Sequence, residues 1–157
     1  YLKITKPESK IICITYTNNA KNEIISRLSD VNNIFVSTIH EFIWKNICKF
    51  QASLRVEVNK CIIEKISKYE IENNETKVEK YKNADLTLPI SYRDYESLIN
   101  GIISHDTLLN IFNSFLSSEQ YCNILFSSID YIFVDEYQDT HKIIFYEFFV
   151  FLRRTGV

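Results

Sequence analysis

Glycine is nearly absent, with only Gly101 and Gly156 among 157 residues. A G-x-x-x-x-G-K-[ST] loop, whose backbone amides close around a nucleotide's phosphates, is therefore excluded from this chain. A dominant charge is also missing. Lys and Arg total 18 against 20 Asp and Glu, a formal net charge of −2. No global basic field advertises nucleic acid, so any bound polyanion has to be held by local geometry. No apolar run approaches the roughly 20 residues of a membrane-spanning helix, and no membrane association is expected. The four cysteines (Cys13, Cys48, Cys61 and Cys122) form no C-x-x-C pair. They read as reduced, mostly buried thiols rather than as a metal site or disulfides, and with no secretory signal they suggest a cytoplasmic protein. Internal repeats and low-complexity tracts are absent.

What is present suits a folded core. Hydrophobic residues make up 46% and charged residues 24%, with eleven Phe, ten Tyr and one Trp. Such a chain accommodates one ordinary domain, or a domain with a small insertion. It begins at Tyr1 rather than Met and soon reaches an apolar strand, which suggests a piece of something longer.

The stretch "KIICITYT" (10–17) holds four consecutive apolar residues and predicts a fully buried strand. "NNAKNEIISRLSD" then changes period, with Ala20, Ile24 and Leu28 forming one stripe of a helix capped by Thr17 or Asn18. "NIFVSTIH" (33–40) predicts a second strand, and "EFIWKNICKF" a helix with Ile43, Ile47 and Phe50 on one face. Strand–helix–strand–helix at this spacing implies a parallel sheet covered by helices. From about Gln51 the rhythm stops. Residues 53–89 are highly polar and helical in propensity, ending at Pro89, with 72–80, "ENNETKVEK", having almost nothing to bury. The tract from Ser91 to Phe126 carries helical spacing at Leu108, Leu109, Phe112, Phe115 and Leu116, with Asp106 as a candidate cap. A third strand, "SIDYIFVDEYQDT", precedes the aromatic run "HKIIFYEFFVFLRR", expected as a helix on the sheet. The organisation expected is an α/β domain in two parts, 1–50 and 105–157, with a helical insertion at 51–104.

Each predicted strand ends in a polar cluster: "TYTNN", "STIH" and "DEYQD". In a parallel sheet the carboxyl ends share one edge, where ligands bind in open α/β folds. An acid at the tip of a buried strand suits Mg²⁺ held on a nucleotide's phosphates, and a second beside it suits activation of the attacking water. "IFVDE" has that order, with Asp135 as metal holder and Glu136 as base.

The longer string "DEYQDT" resembles the second motif of superfamily 1 DNA helicases of the UvrD/Rep type, D-E-[FY]-Q-D-T. "ITYTNNAKNEIISRL" looks like their motif Ia, and "VSTIHEFIWKNI" like the T-F-H-S motif that follows. The resemblance covers both ends of the chain; the middle matches only in position and helical character. It implies a partial RecA-like parallel sheet of the P-loop NTPase type with a helical inserted subdomain. It further implies ATP and Mg²⁺ as cofactors, and movement on single-stranded DNA in the 3′–5′ direction driven by ATP hydrolysis. By resemblance, Tyr16 stacks on a base while Thr17 and Asn18 contact the DNA backbone; Thr38 and His40 lie along the same strand. Asp135 takes the Mg²⁺ role, Glu136 activates water, and Gln138 and Asp139 couple the nucleotide site to neighbouring motifs. Base–aromatic stacking would let a chain without basic excess hold a nucleic-acid strand. Two positions depart from the T-F-H-S pattern: Ile39 replaces an aromatic residue, and Glu41 replaces Ser, where an acid is expected to repel phosphate.

The missing glycine-lysine loop would lie upstream of motif Ia in the family. The expectation is therefore an internal fragment of a DNA helicase, itself inactive as an ATPase. Two other readings use the same motifs: the motor subunit of a helicase–nuclease, and a non-catalytic helicase-like module that docks DNA or protein.

Overall fold

The computed structural model describes residues 9–28, 34–127 and 129–135. In chain order the elements are β1 (Ile11–Thr15), α1 (Asn18–Arg27), β2 (Ile34–Thr38), α2 (Ile39–Ile47), α3 (Gln51–Ile71) and α4 (Glu75–Lys82). There follow β3 (Ser91–Tyr92), a 3-10 turn (Leu98–Asn100), β4 (Ile102–Ile103), α5 (His105–Leu116), α6 (Glu119–Phe126) and β5 (Tyr131–Val134). The fold is mixed α/β, with two small parallel sheets and six α-helices among the described residues. Two compact units divide the chain. One holds the described residues up to Ile43 and from Phe115 onward; the other is Trp44–Ser114.

The first unit is built on a three-stranded sheet in the order β2-β1-β5, every pair parallel. β-Branched residues favour the pleat, and Ile11 and Ile14 are buried on the central strand. The core around them includes Phe42 and Ile43 of α2, Tyr121, Cys122, Leu125 and Phe126 of α6, and Ile129. At the amino ends of the strands, the Lys10 amide donates to Asp130 Oδ2 at 2.8 Å, and the Asp130 amide donates to the Lys10 carbonyl at 3.0 Å. This clasp holds β5 in register with β1. On β5, Phe133 is half exposed.

The second unit is mainly helical, with Ile47, Leu54, Val58, Ile62, Ile90, Leu98, Ile103, Leu108, Ile111 and Phe112 buried. Gln51 joins α3 to the chain before β3: its amide nitrogen donates to the Ile90 carbonyl at 3.2 Å and its oxygen accepts the Ile90 N–H at 2.8 Å. Glu96 gathers Lys65 of α3 and Thr107 of α5 by direct hydrogen bonds, and Ser104 Oγ at 3.3 Å. Lys65 and Glu96 also form an ion pair.

Several local expectations are revised. The second strand ends at Thr38, so His40 lies in the first turn of α2. Phe50 belongs to the connection ahead of α3, not to the face of α2. Segment 72–80 is not merely solvated, because its last residues form α4. Asn73, at φ 54°, ends α3 in a left-handed turn, and the Asn73 and Asn74 amides bond back to Glu70 and Tyr69. Asn74 then caps α4 through Lys77 N at 3.2 Å. A Tyr69–Tyr81 ring contact at 5.7 Å and the Lys77 ammonium over Tyr69 add cohesion that polarity alone concealed. Asp106 sits inside the first turn of α5, where Ser104 closes the turn by accepting the Leu108 amide. The β3–β4 pair, within an insertion expected to be mainly helical, depends on Gly101 at φ 68°. Of the cysteines only Cys122 is fully buried, and all four are free. Burial pushes the Cys13, Cys61 and Cys122 thiols up.

Candidate functional site at the carboxyl edge of the sheet

The parallel register sets the geometry of the site. Thr15 pairs with Thr38, and Ile14 pairs with Val134. The residues following these pairs, Tyr16, Ile39 and Asp135, therefore leave the sheet along one edge. A hydrogen bond from the Asp135 amide to the Ile14 carbonyl, 2.9 Å, extends the ladder to the last described residue.

The β1 corner is a turn closed by side chains. Thr15 is buried and its hydroxyl donates to the Thr17 carbonyl at 3.1 Å. Thr17 caps α1, its hydroxyl accepting the Ala20 amide at 3.2 Å. Tyr16, between them, is 46% exposed and projects from the edge as an accessible ring. Asn18 opens α1 and is exposed.

The β2 corner is a reciprocal cap. The Thr38 amide donates to Glu41 Oε2 at 3.0 Å, while Thr38 Oγ1 accepts the Glu41 amide at 3.3 Å. This is a capping box in T-x-x-E order, and the signal stood in the sequence as "TIHE". The same carboxylate meets the Lys21 ammonium of α1 with both oxygens at 2.7 Å. Glu41 is partly desolvated, which alone would raise its pKa. The bonds from Lys21 and Thr38 outweigh that and hold the carboxyl below its ordinary range. The expected repulsion of phosphate by a bare acid is thus revised: the charge is already matched. Thr38 is buried and His40 half-buried.

Two helix amino termini, those of α1 and α2, adjoin this edge and bring their positive dipole ends there, with the Ala20 and Glu41 amides taken by the Thr17 and Thr38 caps. Asp135 is exposed at the strand tip. A carboxylate at such a strand tip is chemically suited to Mg²⁺, which takes one or two carboxylates and completes its shell with water and substrate phosphates. No cluster of three or more His, Cys, Asp or Glu suited to a tightly held metal occurs among the described residues. Glu136, Gln138 and Asp139 lie outside the described residues. No described helix is long and apolar enough to cross a membrane.

Fold and edge together define an α/β protein with polar and aromatic groups gathered at the carboxyl ends of parallel strands. A known protein shares part of this sequence. The chain is 49% identical over 51 residues to the Gabija protein GajB of Bacillus cereus (strain HuB5-5), a stretch amounting to 32% of this chain and 7% of GajB. The alignment thus spans less than a tenth of that relative. No family model and no solved structure matches the chain.

Proposed function

We propose that this chain is part of an ATP-driven translocase of the superfamily 1, UvrD/Rep type, moving 3′–5′ on single-stranded DNA. The observation that carries the reading is the parallel register of β2, β1 and β5, with the three motif-bearing segments leaving on a common edge. The partial identity with GajB supports it. In this reading the sheet is part of a RecA-like core, and Trp44–Ser114 is the inserted subdomain. Tyr16 stacks on a base. Thr17, Asn18, Thr38 and His40 engage the DNA backbone.

Asp135 would hold Mg²⁺ on the phosphates of ATP, and Glu136 would take a proton from the attacking water. Gln138 and Asp139 relay the state of the nucleotide to neighbouring segments. When bound, the metal neutralises charge on the phosphates. The resident residues orient water and anchor the strand. Phosphate binding of this kind also needs the glycine-lysine loop that these 157 residues lack, so the isolated chain is expected to hydrolyse no ATP.

The test uses protein expressed from the complete reading frame. Its ATP hydrolysis should rise on addition of oligothymidylate, and Glu136→Gln should lower turnover by roughly 10²- to 10⁴-fold, as loss of a general base does. Hydrolysis that ignores single-stranded DNA, or that survives Glu136→Gln, overturns the proposal.

A further inference from the structure

Glu41 links elements that the sequence leaves far apart. Its carboxylate receives the Thr38 amide at 3.0 Å and the Lys21 ammonium at 2.7 Å, while its own amide is accepted by Thr38 Oγ1. The Lys21 amide in turn donates to the Thr17 carbonyl at 3.1 Å. One continuous chain of bonds therefore runs from Thr17, at the start of α1, through Lys21 and Glu41 to Thr38, at the start of α2. We propose that Glu41 is a positioning residue for nucleic-acid contacts, fixing the first turns of α1 and α2 against each other at the sheet's carboxyl edge. The proposal rests on the single-strand-binding reading above.

Two physical points support it. With Lys21 in contact with both carboxylate oxygens, Glu41 adds little net negative charge at the edge, so simple repulsion of phosphate is not its main effect. And the Glu41 amide donates to Thr38 Oγ1 while the Glu41 carboxylate takes the Thr38 amide, so Thr38 is fixed from both sides at the start of α2. Removing the carboxylate would free the Lys21 side chain and release one side of the Thr38 cap. The stacking ring at Tyr16 and the hydroxyl at Thr38 would then no longer be held at a common spacing.

The experiment measures binding of fluorescein-labelled oligothymidylate by anisotropy, in protein from the complete reading frame, at a temperature where every variant is folded by circular dichroism. Glu41→Ala should weaken binding roughly tenfold, the scale of one lost charge-assisted contact. Glu41→Gln keeps an acceptor for the Thr38 amide but no ion pair, and should fall between Ala and wild type. Lys21→Arg should bind almost as well as wild type. In a Lys21→Ala background the Glu41→Ala effect should shrink, because the two act through one contact. Tighter binding by Glu41→Ala or Glu41→Gln identifies plain charge repulsion and overturns the proposal. A lowered melting temperature with unchanged affinity reduces Glu41 to a stability role and overturns it as well. The two readings separate cleanly. Binding that Tyr16→Ala weakens but Glu41→Ala leaves intact sinks the positioning role alone, whereas no binding by wild type sinks the strand-binding reading and the positioning role with it.

Discussion

At the scale of single residues, charge at this edge matters by pairing rather than by sum. Glu41 is held below its ordinary 4.5 because the Lys21 and Thr38 bonds outweigh its partial desolvation. A carboxyl depressed in the folded state contributes stability above its unfolded value and loses it as pH falls through the folded one. The difference in melting temperature between wild type and Glu41→Gln should therefore be present at neutral pH and fade in acid, as pH falls through the lowered folded value. A difference unchanged by acid would rule out the pairing. Glu96 behaves alike, depressed by Lys65, Thr107 and Ser104 against its own desolvation. Its partner Lys65 is raised by Glu96 despite burial, so that ammonium's contribution fades only in alkali, as pH climbs through the raised value. Tyr16 carries a different kind of expectation. Tyr16→Ala should cost about 1–3 kcal/mol of single-strand affinity by loss of one stacked base, and Tyr16→Phe almost nothing. Equal losses in the two variants, measured by anisotropy, would point to the hydroxyl instead of the ring.

At the scale of elements, the corners decide what the strands and helices present. Gly101 closes the turn before β4 with φ 68°, and a Cβ there would lie 3.1 Å from the Pro89 carbonyl oxygen. Gly101→Ala should destabilise the protein by about 1–2 kcal/mol through the left-handed penalty, plus whatever the contact adds. Chemical denaturation checks this, and an unchanged midpoint would refute the strained turn. The helices of the first unit start at side-chain caps. α1 has no fully buried residue, so little packing underwrites its first turn. Thr17→Ala should accordingly show the usual capping loss of about 1 kcal/mol, visible as reduced helix content near the edge.

At the scale of the whole molecule, two compact units share one chain, and each has its own core. Leu54, fully buried in the second unit, should cost about 2–5 kcal/mol on truncation to Ala. Because stability is distributed in local units, hydrogen exchange should speed at α3 while the amides of β1 keep their protection. Loss of protection in β1 as well would mean that the two cores unfold as one. The proposed motor also belongs to this scale, since in that reading these residues supply the strand-contacting edge and one carboxylate strand, but not the phosphate loop.

Much of the first unit was legible locally. Runs such as "IICIT" and "YIFV" declare strands, since branched apolar residues bury well in a parallel sheet, and Thr17 announced its helix. The candidate edge was legible as three polar clusters, because each follows a strand directly. The second unit was less so. Short strands at Ser91–Tyr92 and Ile102–Ile103 carry too few residues for a period to emerge, and α4 draws its support from Tyr69, outside its own sequence. The sequence by itself determined the α/β character and the order of motif-bearing corners, because those follow from patterns within a few residues. Only the tertiary structure decided the strand order β2-β1-β5 with its residue-by-residue register, and that Glu41 meets Lys21 twenty residues earlier. Such pairings join residues distant along the chain, and no local propensity specifies them.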